Sequence, residues 1–222
     1  MLYLIIRVIF CLLVMGIVFI YIKKTKKIIR KSRAIKISFS GAILLFLVLE
    51  ACPVENLFVD FSTPEAVFSY SEIGAPKIDL KVEGEKTTLI LYSEGSTIRS
   101  SILPKSEKGW KIKPRLFYER KTSVMILGKY SIRTYSTMSM SDTYVIIDTL
   151  LVQNDTLLNV TDNRGSIFSF SREEFINEEY EYRIFNIRYA AYVTDFDDSY
   201  ELYIDGEKVP VKTPSVISSV LR

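Results

Sequence analysis

Residues 77–92 read KIDLKVEGEKTTLILY, and at Lys77 the apolar period changes from that of a helix to that of a strand. Ile78, Leu80 and Val82 alternate with Lys77, Asp79, Lys81 and Glu83, the pattern of a half-buried strand. Glu83-Gly84-Glu85-Lys86 turns the chain into Thr87–Tyr92. Gly95 allows a further turn before Ile98–Leu103, and Lys108-Gly109 leads into Trp110–Tyr118. Strands joined by such short links predict an antiparallel meander. Trp110 opens the last of them and is read as a core anchor, with ligand stacking as the sharper alternative.

Immediately upstream, Thr63-Pro64-Glu65 is a helix start: a hydroxyl N-cap, proline at the first position, and an acid near the positive end of the helix dipole. The helix is expected to run to about Glu72 and to close at Gly74 and Pro76. Val67 and Tyr70 share one face, so it should pack on a sheet. Residues 53–62 form a short stalk before it.

Further out lies the segment that sets the location. Residues 2–22 read LYLIIRVIFCLLVMGIVFIYI, with Arg7 as the one charge, and give roughly 30 Å of helix, enough to cross a bilayer core. Arg7 lies within two turns of the start, where it can snorkel to the headgroups; pairing with a partner helix is the sharper reading. A second, shorter apolar run covers residues 35–52, with Lys36 and Glu50 at its two interfaces. The loop between them carries Lys23, Lys24, Lys26, Lys27, Arg30, Lys31 and Arg33. A short loop this basic stays in the cytoplasm and can bind anionic lipid. The expectation is a two-span hairpin over residues 1–52 (basic loop 23–34) in the cell membrane, with both termini outside. A rival reading takes Leu49-Glu50-Ala51-Cys52 as a lipoprotein box, although Glu50 departs from that pattern.

The chain of 222 residues has a net charge of +3, but nine of its 29 basic residues fall in residues 1–36, which hold no acid. From Glu50 onward 20 basic residues face 26 acidic ones, so the basic balance does not point to nucleic acid. The two cysteines, Cys11 and Cys52, both lie in or beside the apolar runs. The outer region therefore has no disulfide framework, which suits a bacterial envelope. There is no histidine, so a Ser-His-Asp triad is impossible. A Ser-Lys dyad or a carboxylate pair cannot be located from sequence, and no phosphate loop or dinucleotide fingerprint occurs. The chain is read as non-enzymatic, without cofactor. Asp195, Asp197 and Asp198 form one dense acidic turn, a weak candidate for Ca²⁺ that is more ordinarily solvated. The sequons at Asn154 and Asn159 are common chance matches.

Downstream of the meander, Val124, Ile126, Tyr130 and Ile132 are read as one face of one strand. Tyr144–Val152 is apolar on both faces, as a central strand would be. Asn154-Asp155 and Asp162-Asn163-Arg164-Gly165 are turn chemistry. Ile167–Phe170 reads as a short strand, Arg172–Asn177 as a helical turn, and Tyr180–Val193 as a long strand. Asp205-Gly206 between Tyr200–Ile204 and Glu207–Val211 is a type I′ hairpin signature. The fold class is thus mostly β, with the helix plus meander over 63–121, a small β-sandwich over 122–212 and a tail at 213–222.

FSTPEAVFSYSEIG at 61–74, with LILYSEG and the closing YELYIDGEKVPV, resembles uncharacterised membrane-anchored proteins of Gram-positive bacteria. These often begin their outer domain with a similar Phe-x-Thr-Pro-Glu helix, and the likeness covers residues 58–212. It implies anchoring and a β domain, but no activity or binding residues. The expected function is display of an extracytoplasmic β domain that binds an envelope protein or wall polymer. The alternative is an accessory subunit of a transporter or sensor complex, acting through its helices with Arg7, Gly16, Ser40 and Gly41.

Overall fold

The computed structural model describes residues 2–25, 31–72, 74, 76–94, 97–114, 119–126, 129–137, 142–152, 157–177 and 182–213. The chain is mostly β, 44% strand against 29% helix. The helices are α1 (Leu2–Thr25), α2 (Lys31–Ala51) and α3 (Pro64–Ser71), with a 3-10 turn at Val54–Leu57. The first strands are β1 (Ile78–Glu83), β2 (Thr87–Glu94), β3 (Thr97–Ser106) and β4 (Gly109–Trp110). They are followed by β5 (Glu119–Ile126), β6 (Tyr130–Thr137), β7 (Thr143–Val152), β8 (Val160–Asp162) and β9 (Ser169–Asn177). Last come β10 (Tyr182–Val193), β11 (Leu202–Ile204) and β12 (Glu207–Val209). Two compact units emerge: Met1–Pro76 with Ser106–Phe117, and Lys77–Lys105 with Tyr118–Arg222.

In the first unit, α1 is the one described helix long and apolar enough to cross a membrane, over Ile5–Lys24. α2 carries Lys31, Arg33, Lys36 and Glu50 within 21 residues, which dilutes its apolar character. α3 begins as expected: Thr63 Oγ1 accepts a bond from the Ala66 N–H at 3.2 Å, and Pro64 sits in the first turn. Its buried face is Pro64, Val67, Phe68 and Ser71. Tyr70, expected to share that face, is half-buried with its ring 5.4 Å from Phe61.

Of the expected strand Trp110–Tyr118, the described residues keep only the short strand Gly109–Trp110; 111–114 are irregular, and 115–118 lie outside the described residues. The backbone groups of Ile112 are taken by a side chain instead of a ladder. Asn56 Nδ2 donates to the Ile112 carbonyl at 2.8 Å, and the Ile112 N–H donates to Asn56 Oδ1 at 2.8 Å. Trp110 is half-buried, and its backbone exchanges bonds with Phe61 at 3.0 and 2.9 Å. Gly109 adopts φ 145°, and a Cβ there would strike the Phe61 carbonyl oxygen. Gly109→Ala is therefore expected to destabilise this unit by about 2–3 kcal/mol, from strained backbone plus a clash that no side chain can relieve. Its melting temperature checks this.

The second unit is organised on an antiparallel sheet in the order β5-β6-β7-β10-β9. β7 is the central strand that its two apolar faces demanded. On one face Val145 and Ile147 join Leu202, Ile204 and Val209; on the other Tyr144 and Ile146 join Val82, Leu89, Leu91 and Ile102. β1, β2 and β3 therefore share a core with the central sheet.

Three local readings are corrected. Val124, Ile126, Tyr130 and Ile132 do share a face, but across a hairpin: Val124 pairs with Ile132 and Ile126 with Tyr130. Arg172–Asn177 continues β9 as strand, held by its register with β10 from Arg172↔Ile187 to Asn177↔Tyr182, and Arg172 lies over the Phe185 ring at 3.6 Å. β8, not foreseen, pairs with β11. The Asp205-Gly206 turn has φ 52° and 83°, the left-handed pair that a type I′ turn requires. The Asn154-Asp155 turn and most of the tail lie outside the described residues.

Candidate functional site

Arg7 is the strongest departure from ordinary chemistry in the first unit. Its side chain is 2% exposed, and it forks between two carboxylates. Nη1 lies 3.1 Å from Glu50 Oε1 near the end of α2; Nε and Nη2 lie 3.0 and 2.8 Å from the two oxygens of Glu55 in the 3-10 turn. The bidentate geometry on Glu55 matches the planar guanidinium, and two acids around one base leave no donor stranded in an apolar setting. Arg7 is thus paired inside its own chain, which corrects the expectation that it snorkels alone to the headgroups. The pairing bridges 43 and 48 residues, so no local pattern could reveal it.

Burial tends to raise the Glu55 carboxyl, but the Arg7 bonds outweigh this and hold it below its ordinary value. A lowered carboxylate contributes stability that is complete above the ordinary range and is lost as pH falls through the lowered value. Acidification through and below the ordinary carboxylate range is expected to loosen this junction. Glu55→Gln should flatten that part of the melting profile between pH 6 and pH 3 in detergent.

A second charged network lies in the β unit. The pairing of β1 with β2 slips between Ile78 and Leu80, leaving Asp79 as the extra residue of a bulge. The bulge aims Asp79 inward, against the expected outward position in the Ile-Asp-Leu alternation. There it meets Arg188, 2% exposed, at 2.7 Å, and it accepts from Ser93 Oγ at 2.7 Å. Arg188 also reaches Glu173 at 3.4 Å and Asp148 at 3.9 Å, while Arg133 holds Asp148 at 2.6 Å. At the other end of the same core, buried Asp142 accepts from the N–H groups of Lys86 and Thr87 and from Thr87 Oγ1, at 2.7–2.8 Å. The backbone comes this close because residue 84 is glycine: a Cβ there would lie 2.6 Å from both Asp142 Oδ2 and the Tyr144 hydroxyl. The apolar core between these sheets carries two polar clasps.

Beside the second clasp, a recess of about 290 Å³ is bordered by Glu85, Thr143, Tyr192, Thr194, Asp195 and Phe196. Burial, with the charges of Asp142, Glu85 and Asp195, pushes the Tyr192 hydroxyl above its ordinary range. The rim would favour a basic or hydrogen-bond-donating group over an acidic one. It offers no nucleophile paired with a base.

No known protein family, curated protein or solved structure matches the chain. Its function has to rest on its own geometry.

Lys23 and Lys24 are exposed in the last turn of α1, and Lys31 and Arg33 open α2. Lys26, Lys27 and Arg30 lie outside the described residues. Asp195, Asp197 and Asp198 are all exposed, and among the described residues no three acidic or thiol side chains gather as a metal would need. Asp197 is instead engaged by the Ser199 hydroxyl at 2.6 Å, the Ser199 N–H at 2.8 Å and Arg164 at 2.8 Å, and these bonds lower its carboxyl. Cys52 is exposed just past α2, and Cys11 is buried.

Proposed function

We propose that this chain is a two-span membrane protein that displays a non-enzymatic β-rich domain outside the cytoplasm, where it binds an envelope protein or wall polymer. The observation that carries the reading is the Arg7–Glu50–Glu55 cluster. It neutralises the one charge within the apolar run 2–22 of the first helix with acids from the end of the second helix and the turn beyond it. In lipid an unpaired arginine is costly, so a partner supplied by the next helix favours entry of the two helices as a pair. The basic residues between them then lie at the opposite, cytoplasmic end. The outer unit is read as layered β-sheets around β7, and its polar clasps suit recognition by a rigid surface.

The test is in-cell crosslinking with mass spectrometry, comparing the full chain with one whose residues 1–52 are replaced by an unrelated anchor. Capture of the same partner by both supports recognition by the β domain. Loss of that partner with the native helices transfers the function to the membrane segment. That second reading, an accessory subunit acting through its helices, no longer draws on Arg7. It rests on an apolar groove of about 300 Å³ along Met15, Gly16, Phe19, Ile35 and Ser38.

A further inference from the structure

Val54, Leu57, Phe58 and Val59 are 42%, 78%, 84% and 42% exposed, a run of large apolar side chains turned away from the protein. They lie in and just after the 3-10 turn Val54–Leu57. The polar side of the same turn is tied down: Lys111 Nζ donates to the carbonyls of Asn56 at 2.7 Å and Val59 at 3.2 Å, and pairs with Asp60 at 2.7 Å. Asn56 is locked to the Ile112 backbone, and Glu55 to Arg7. Arg7 is five residues into α1, roughly 7 Å along the helix from its first residue. Because Glu55 meets Arg7 directly, the turn lies within one arginine's length of that depth. The α1 side chains at that level, Ile6 at 47% and Ile9 at 52% exposed, present the same apolar character.

We propose that residues 54–59 form an interfacial foot, whose Val54, Leu57, Phe58 and Val59 lie in the boundary between headgroups and acyl chains of the outer leaflet. The occupant is lipid, because the Glu55–Arg7 bond holds the turn at the level of Ile6 and Ile9, exposed apolar side chains of the helix that enters the bilayer. A pinned turn with one polar and one apolar side is what the interface accommodates. The proposal rests on the two-span reading. It adds that the base of the first unit is seated on the membrane, beyond the tether itself.

The test uses the full chain in lipid nanodiscs with Trp110→Phe, and either Phe58→Trp or Leu57→Trp as the one fluorophore. Leu12→Trp in the same background is the control for the anchor. Expected is a blue-shifted emission from position 58 or 57 that brominated lipid largely removes and aqueous iodide hardly touches. If Leu12→Trp is quenched by brominated lipid while positions 57 and 58 stay open to iodide, the foot is overturned and the anchor stands. If positions 57 and 58 are shielded from both quenchers, protein covers them and the proposal is also overturned. If Leu12→Trp itself escapes brominated lipid, the anchor reading fails and the foot fails with it.

Discussion

Arg7→Leu is expected to destabilise the full-length protein by about 3–5 kcal/mol, although it makes the first helix more apolar. The substitution leaves Glu50, with a side chain 11% exposed, and Glu55, 20% exposed, facing each other without their shared cation. Two largely buried carboxylates deprived of that cation cost far more than the attraction that an exposed pair would forfeit. Insertion of α1 should be unimpaired; what fails is the junction between the ends of the two helices and the turn after them. The readout is melting temperature and protease resistance near residues 50–60, in detergent and in membranes. Arg7→Leu with Glu50→Leu and Glu55→Gln should recover much of the loss, because replacing a buried charge cluster by neutral groups is close to neutral. A single variant as stable as the parent would mean that both acids reach water and the cluster is not buried.

The second large effect lies in the β unit. Arg188→Met keeps the aliphatic volume but removes the cation that joins Asp79 to the central sheet. With Asp79 12% and Asp148 16% exposed, a cost of about 3–5 kcal/mol is expected. Part of the Asp148 charge stays neutralised by Arg133 at 2.6 Å, so most of the loss should come from Asp79. Arg188→Lys is expected to fall between the two, since an ammonium cannot span Asp79, Ser93 and Glu173 as the guanidinium fork does. Urea melts of the three proteins measure this. Equal stability of Arg188→Met and the parent would show that Asp79 is solvated, and that the bulge at Ile78/Leu80 does not aim it inward.

Features fixed by local chemistry were legible from the residues. The Thr63-Pro64 helix start, the Asp205-Gly206 turn and the double apolar face of β7 each follow from a few neighbouring side chains. The misses share a physical cause. Asp79 points inward because one extra residue enters β1, and an alternation rule cannot see an insertion in register. Arg172–Asn177 carries charged residues that suit a helix, but pairing with β10 outweighs that preference. Ile112 leaves the ladder because a side chain 56 positions away satisfies its backbone. Of the site, the charge on the first apolar run was visible, and so was Glu50 closing the second. Two opposite charges at the same end of two adjoining apolar runs were the signal for their pairing. The Glu55 limb needed the 3-10 turn, which no sequence period announces.

The most direct test of the account is the sidedness of two positions in intact cells. Cysteines are placed one at a time at Lys27, in the basic loop, and at Glu107, exposed in the first unit, with Cys11 and Cys52 replaced by serine. A membrane-impermeant maleimide is then applied before and after permeabilisation. The account predicts that Glu107→Cys reacts in intact cells and Lys27→Cys only once the membrane is opened. Reaction of both positions in intact cells, or of neither, would place loop and β domain on the same side and contradict the two-span anchor.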